Sequence, residues 1–501
     1  MRSICSVLIV FFTISLYSCS SGGGNFTSKI FPSGLSITSP TAPESSNTST
    51  TSLHAIGAFD STNNFAEKKA VLQNLASGND ECTFVFPNFV QPFNSPACYG
   101  PELFINNHPN NPLDTQASLP SGDLGIWEEN QDAQACAAAK LNAEVGNVGQ
   151  KVDAALLFVA GMSCLIESES DLKIPEEGNT TNLTTALSDA LASDNPNLTI
   201  TAATIRRLAD ASDGFEVFQY EIEAEDSSGR ELKIHLKHHP TNSSGSTFKG
   251  KMWTSIETEN ASEFTNSNSY AFSLLYEQDE DMLNFQNLAT AYESQWLTSD
   301  DIFDGENNID PTACSGFSSC WENFSQTIGN IDKKTGYGAL SYGWQAGRLD
   351  ADGSTPLARI FNFYVDDEDQ DNINAYAFFG FGRGFNKDNG TIGSNTINRF
   401  ICNWAGPMAD RSGLENTAQK QVMLYNEASQ LFESSQALIT YAPTNLCTYD
   451  GQGTFAFSTD ATVDLDDAQN EAGAIDSDLI DLTTDADYAN YIAPTVPEED
   501  F

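Results

Sequence analysis

From Phe215 to about Trp404 the apolar residues recur at every second position, the repeat of a half-buried β-strand. The clearest segment registers as a hairpin. Phe218, Tyr220, Ile222 and Ala224 fall on one face of its first strand, and Leu232, Ile234, Leu236 and His238 on one face of its second. A three-residue loop, Ser227-Ser228-Gly229 with Gly229 left-handed, sets Ala224 opposite Leu232, Ile222 opposite Ile234 and Tyr220 opposite Leu236. The polar face then places Glu223 against Lys233 and Glu221 against His235. A two-residue loop would put Ile222 opposite Lys233 and mix the faces. A second hairpin, turning at Asp352-Gly353, is expected to pair Leu340 with Val365, Tyr342 with Phe363 and Trp344 with Phe361. Further strands are expected over 248–256, 270–276, 282–288, 375–383 and 396–404. Their short polar connections point to an antiparallel meander, as a large curled sheet or a barrel.

Upstream the repeat is 3.6. Residues 65–213 read as mainly helical, with an amphipathic helix over 66–75. A helical hairpin is expected from 127–145 and 148–167, broken between its arms by Gly146 and Gly149. Shorter helices are expected over 187–192 and 205–211. Downstream, Asn416 reads as the cap of a helix over 417–439, with Leu424, Ala428, Leu431 and Leu438 as its core stripe. Phe455 and Phe457 suggest a final strand. The expected fold class is α+β: an N-terminal helical region, then a large antiparallel meander or barrel-like sheet with a packed C-terminal helix. The segments divide as a leader (1–18), a tether (19–55), the helical region (56–213), the sheet (214–411), a helix plus final strand (412–459) and an acidic tail (460–501). The tail has no regular apolar repeat and reads as solvated and disordered. A chain of 501 residues exceeds the size of one core, so two packed units are expected.

The start of the chain carries an address. Arg2 precedes an apolar run from Ile4 to Leu16, too short to span a bilayer, which needs about 20 residues. Leu16-Tyr17-Ser18-Cys19 follows, then Gly22-Gly23-Gly24 and a Ser/Thr-rich stretch. Leu16 to Cys19 resembles the lipobox of bacterial lipoproteins, with Tyr17 departing from the small residue usual there. The resemblance covers about 25 residues. It implies cleavage before Cys19, a diacylglycerol on its sulfur and acylation of its new amine, and Ser20 implies sorting to the outer membrane. More than one acyl chain holds a protein firmly on a membrane. The flexible tether, Ser20 to about His54, would give the folded part a reach of roughly 30–35 Å.

Charge narrows the partners. The chain has 23 basic against 69 acidic residues, a net charge of −46. Nucleic acid is excluded as a partner, because its phosphates need Lys and Arg. Ten cysteines are present. Beyond Cys5 in the leader and Cys19, eight remain, an even number that reads as disulfides in an exported chain. Local closure suggests Cys82–Cys98, Cys136–Cys164, Cys314–Cys320 and Cys402–Cys447.

Candidate chemistry is sparse. His235, His238 and His239 cannot share a metal on a straight strand. His235 and His239 would be about 13 Å apart, with His238 on the opposite face. Charge pairing within an acidic sheet is the expectation for them. Gly380-Phe381-Gly382-Arg383-Gly384 lies in a strand pattern with no helix after it, so these read as bending glycines rather than a phosphate loop. Calcium is the one cofactor the sequence allows, at Asp366, Asp367, Asp369 and Asp371; a solvated loop is the plainer reading. A second acidic loop, Asp300 to Asp310, reads the same way. The functional expectation is a non-enzymatic envelope lipoprotein that presents an interaction module to a protein or glycan. A carrier holding an apolar ligand in its curled sheet is the alternative, and a carboxylate-based hydrolase such as a glycosidase comes third.

Overall fold

The structure, a computed structural model, describes residues 13–15, 83–85, part of 141–166, 171–191, 198–242 (without 228 and 230), 247–257, 269–279, 282–291 and 322–332. Beyond these it describes 335–347, 358–365, 374–382, 385–386, 391–392, 417–426, 431–434, 447–449, 455–457 and 477–500. One antiparallel sheet of fourteen strands dominates. In chain order these are β1 (Thr180–Asn182), β2 (Leu198–Arg207), β3 (Phe218–Asp226), β4 (Glu231–Pro240), β5 (Phe248–Glu257), β6 (Ser269–Asp279) and β7 (Met282–Ala291). They continue as β8 (Glu322–Asp332), β9 (Gly338–Gly347), β10 (Ala358–Val365), β11 (Asn374–Gly382), β12 (Thr417–Asn426), β13 (Leu431–Ser434) and β14 (Ser477–Asp481). Each strand from β1 to β13 pairs with its predecessor in the chain, and β14 returns to β12. Among the described residues β1 and β13 end the meander without meeting.

The first hairpin forms as its alternation dictates. Ala224 faces Leu232, Ile222 faces Ile234, Tyr220 faces Leu236, Glu223 faces Lys233 and Glu221 faces His235. Gly229 takes φ +79°. The second hairpin differs by two residues: Leu340 faces Phe363, Tyr342 faces Phe361 and Trp344 faces Arg359. A slip of two preserves which side chains share a face, so alternation alone cannot detect it.

Three helical expectations are corrected. Residues 205–211 do not form a helix, because β2 covers 198–207. Its Ala203, Ile205 and Arg207 are buried alternately with more exposed neighbours, a period of two. The expected C-terminal helix over 417–439 is replaced by β12 and β13. Its residues are good helix formers, but propensity is a weak prior, and here they pair with β11, β14 and each other. Leu424, expected in the helix core, is 40% exposed, while Met423 is buried. The breaks expected at Gly146 and Gly149 are not seen among the described residues either; residues 127–140 of the expected hairpin's first arm lie outside them. Every described residue from 141 to 166 is helical, Gly146 and Gly149 included. Leu141, Val148, Val152, Ala155, Val159, Met162 and Ile166 are buried and keep one helical stripe across both glycines. A helical glycine costs about 1 kcal/mol, less than the burial of a single large side chain in that stripe. The expected helix near 187–192 is present as Thr184–Leu191.

The sheet has two covered faces. On the helix-side face, the 141–166 stretch meets β6, β7, β8 and β13. Lys151 donates to Asn287 (2.7 Å) and stands over the Phe272 ring. Thr327 donates to Glu144 (2.9 Å). The Asn142 amide caps the backbone of Phe432 in both directions (2.8 and 2.9 Å). The tail-side face is crossed by residues 482–500, which the sequence led us to expect in solvent. They start beside β12, where Lys420 pairs with Asp485 (3.2 Å) and Asp487. Tyr488 packs edge-on to Phe378, and Tyr491 edge-on to Tyr364. Asn330 on β8 bonds Thr495 (2.7 and 3.0 Å). The crossing ends on β5, where Lys251 binds Glu499 (2.9 Å) and Lys249 binds Asp500 (3.0 Å). A long acidic stretch is held here because it finds lysines and buries Tyr491, which composition alone does not reveal.

Candidate functional site

The tail-side face of β3 and β4 gathers the groups with the most chemical potential. Glu221 and His235 are directly opposite each other, and Glu223 is two residues along the same face. Their ligand atoms lie within 4.8 Å of one another. His235 Nε2 is 3.7 Å from Glu221 Oε1 and 3.8 Å from Glu223 Oε1. Thr204 on β2 donates to the other oxygen, Glu221 Oε2 (3.0 Å). Trp253 on β5, opposite His235 in register, stands edge-on to the imidazole at 5.5 Å. Trp253 is buried, and its indole N–H has no acceptor. Lys233, opposite Glu223, turns to Glu231 (3.1 Å).

Beside this cluster lies a basic row. Lys237 pairs in register with Lys251, and His239 with Lys249. His239 faces Asp213 (3.4 Å). Burial lowers the His239 pKa, an effect that Asp213 only partly opposes. Burial also pulls Lys249 down, but Asp500 and Glu277 outweigh it and its pKa is raised. Hydrogen bonding to Lys249 in turn lowers that of Asp500. At the far end, Asp487 and Asp485 outweigh burial and raise Lys420.

The helix-side face holds the deeply buried titratable groups. His238 on β4 reaches Tyr276 on β6 (Nδ1 to hydroxyl, 2.9 Å) across the intervening strand. This is possible because the residue between them is Gly250, whose added Cβ would stand 2.1 Å from the Tyr276 hydroxyl. Burial drives the His238 pKa down to about 3, with His239 adding to it, and drives Tyr276 far above the ordinary phenol range. Burial lowers Lys151 to about 7 despite the opposing charge of Glu144.

The three histidines thus divide as their strand geometry requires. They share no site; His235 joins two glutamates, His239 joins Asp213, and His238 turns inward to Tyr276. Cys19 lies outside the described residues, as do Asp366, Asp367, Asp369 and Asp371. Of the disulfide candidates, Cys82, Cys98, Cys136, Cys164, Cys314, Cys320 and Cys402 lie outside them too. The backbone of Cys447 is described, in a short strand Cys447–Tyr449 that pairs with Phe455–Phe457 apart from the main sheet. Thr204, Trp253 and the tail's lysine partners were not found from the sequence. The register had already placed Glu221 against His235, but nothing local marked the third-strand contact of Trp253. No family model, curated protein or solved structure matches the chain.

Proposed function

We propose that this chain is a bacterial envelope lipoprotein, held on the outer membrane by acyl groups at Cys19, whose sheet serves as a non-enzymatic module for binding a protein or glycan. The observation that carries the module reading is the filling of the helix-side face. The described residues of 141–166 bring a buried apolar stripe and three polar latches to the strands. An apolar cargo would have to displace that stripe, so the reading favours binding at the surface over carriage inside the sheet. The lipobox-like Leu16-Tyr17-Ser18-Cys19 and the Gly22 to Gly24 spacer support the anchor. Cleavage before Cys19 would remove Thr13–Ser15, which otherwise pairs with Thr83–Val85.

The anchor is tested by acyl labelling and membrane fractionation of the wild type and Cys19→Ala. Label and membrane association are expected in the wild type and loss of both in the variant. A soluble wild type, or a mature N-terminus other than acylated Cys19, would overturn it. The module is tested by extracting the purified protein for bound lipid and by screening it on glycan and envelope-protein arrays. A saturable partner with no stoichiometric lipid is expected; stoichiometric lipid would favour the carrier.

A further inference from the structure

We propose that Glu221, Glu223 and His235 form a binding site for a divalent first-row transition metal of the zinc type. The spacing of the ligand atoms is the first argument. A charge-assisted N–H···O bond closes to about 2.7–2.9 Å, and His235 stands 3.7 and 3.8 Å from its two carboxylates. A tetrahedral ion with bonds of about 2.0–2.1 Å holds its donors about 3.3 Å apart. These two separations are therefore nearer to that of ligands around an ion than to hydrogen-bond contact, and all three ligand atoms lie within 4.8 Å of one another. Contraction by a few tenths of an ångström on the imidazole side, and a rotation of Glu223, would complete the ligand set.

Orientation is the second argument. Thr204 occupies Glu221 Oε2 and leaves Oε1 as the atom turned to His235. Such outer contacts fix which oxygen a metal meets. The edge of Trp253 limits the rotation of the imidazole. Its buried indole N–H lacks an acceptor. Chemistry of the donors is the third argument. Two carboxylate oxygens and one imidazole nitrogen suit zinc or manganese. Calcium prefers six to eight oxygens, and the set has no sulfur for a soft ion. Three protein ligands leave at least one position for water. The glutamate side chains are 34% and 33% exposed, against 13% for His235, so the ion would be reached from solvent.

The test uses the whole purified chain, stripped with a chelator, and Co²⁺ as the probe, because its visible spectrum separates nitrogen and oxygen ligation from thiolate ligation. One equivalent is expected, without thiolate charge-transfer bands and displaced by Zn²⁺. His235→Gln and Glu223→Gln should each weaken it at least ten-fold, and Glu223→Asp less, with circular dichroism and urea midpoint unchanged. Unchanged affinity in folded His235→Gln and Glu223→Gln would overturn the site. So would thiolate bands that account for all bound metal, or equal displacement by Ca²⁺. If a variant fails to fold, wild-type His235 supplies the decisive reading. Its imidazole proton resonances should shift or broaden on Co²⁺ addition, and their failure to do so would overturn the proposal.

Discussion

The two faces of the sheet are covered by opposite strategies. On the helix-side face the cover is apolar, and its polar groups are driven toward their neutral forms. His238 and Lys151 lose proton affinity because burial penalises their charged forms. On the tail-side face the cover is acidic, and partners keep Lys420, Lys249 and Asp500 charged, although burial still prevails at His239. Lys420 and Lys249 gain proton affinity and Asp500 loses it. The first face is held by exclusion of water, the second by pairing of opposite charges in partial contact with water. A protein of net charge −46 can lay an acidic segment on itself because it places some of its few lysines along the path.

The largest effect should come from breaking the close approach on the helix side. Gly250→Ala introduces a Cβ where Tyr276 already stands, and overpacking of this kind costs about 3 kcal/mol. The urea midpoint should fall with an unchanged slope. A midpoint within error of wild type would show that the His238–Tyr276 bridge can move aside.

Next in size is the pH response. The folded-state pKa of His238 is depressed, so the unfolded imidazole takes up a proton below about 6.5 while the folded one does not until about 3. Stability is therefore lost as pH falls through 6.5, by about 2 kcal/mol between pH 7.5 and 5. Lys151 acts in the same sense at higher pH, since the unfolded amine stays protonated from about 7 to 10.5 while the folded one does not. Stability should rise over that interval until tyrosine ionisation reverses it. In denaturation series at pH 5, 7.5 and 9, His238→Phe should flatten the acid limb alone. A wild type equally stable at pH 5 and 7.5 would contradict the neutral burial of His238.

The smallest global effect is expected from the tail. The double variant Lys249→Gln, Lys251→Gln should lower stability by about 1 kcal/mol or less, as partly exposed pairs do. It should nevertheless speed proteolytic cleavage within residues 482–500 several-fold. High salt should do the same to the wild type and leave the helix-side face unaffected. Equal digestion rates in both proteins would mean that the lysines do not hold the crossing. Together these measurements separate a face that answers to pH near neutrality from one that answers to salt.

Much of the sheet was legible because alternation and burial coincide in it. The β3–β4 register followed from one loop length and the apolar alternation, with Glu223–Lys233 and Glu221–His235 agreeing. The β9–β10 register was missed by two residues because that slip leaves every side chain on its face, and only the turn distinguishes the alternatives. Residues 417–439 and 205–211 were read as helix for another reason. Gln419, Lys420 and Gln421 are at home in either state, and pairing with distant strands decided the outcome. The tail was misread because its contacts lie far away in sequence. The site was half visible: both glutamates and His235 stood in the predicted register, but their geometry emerged only with Thr204 and Trp253 from the flanking strands.

The bonds of Glu499 and Asp500 reach back 248 and 251 residues to Lys251 and Lys249. A chain made from its N-terminus has β1 to β13 in hand before either carboxylate exists. Closing contacts over such separations is slow, so the tail-side face must spend its early life uncovered. Any copy that stops before residue 477 would keep the order of the meander yet leave Lys251 and Lys420 without the tail's carboxylates and Asn330 without Thr495. Residues 477–500 therefore act as a seal laid on after the meander has been made. A protease that samples the tail-side face could tell molecules that carry this seal from those that lack it without reading anything else about them.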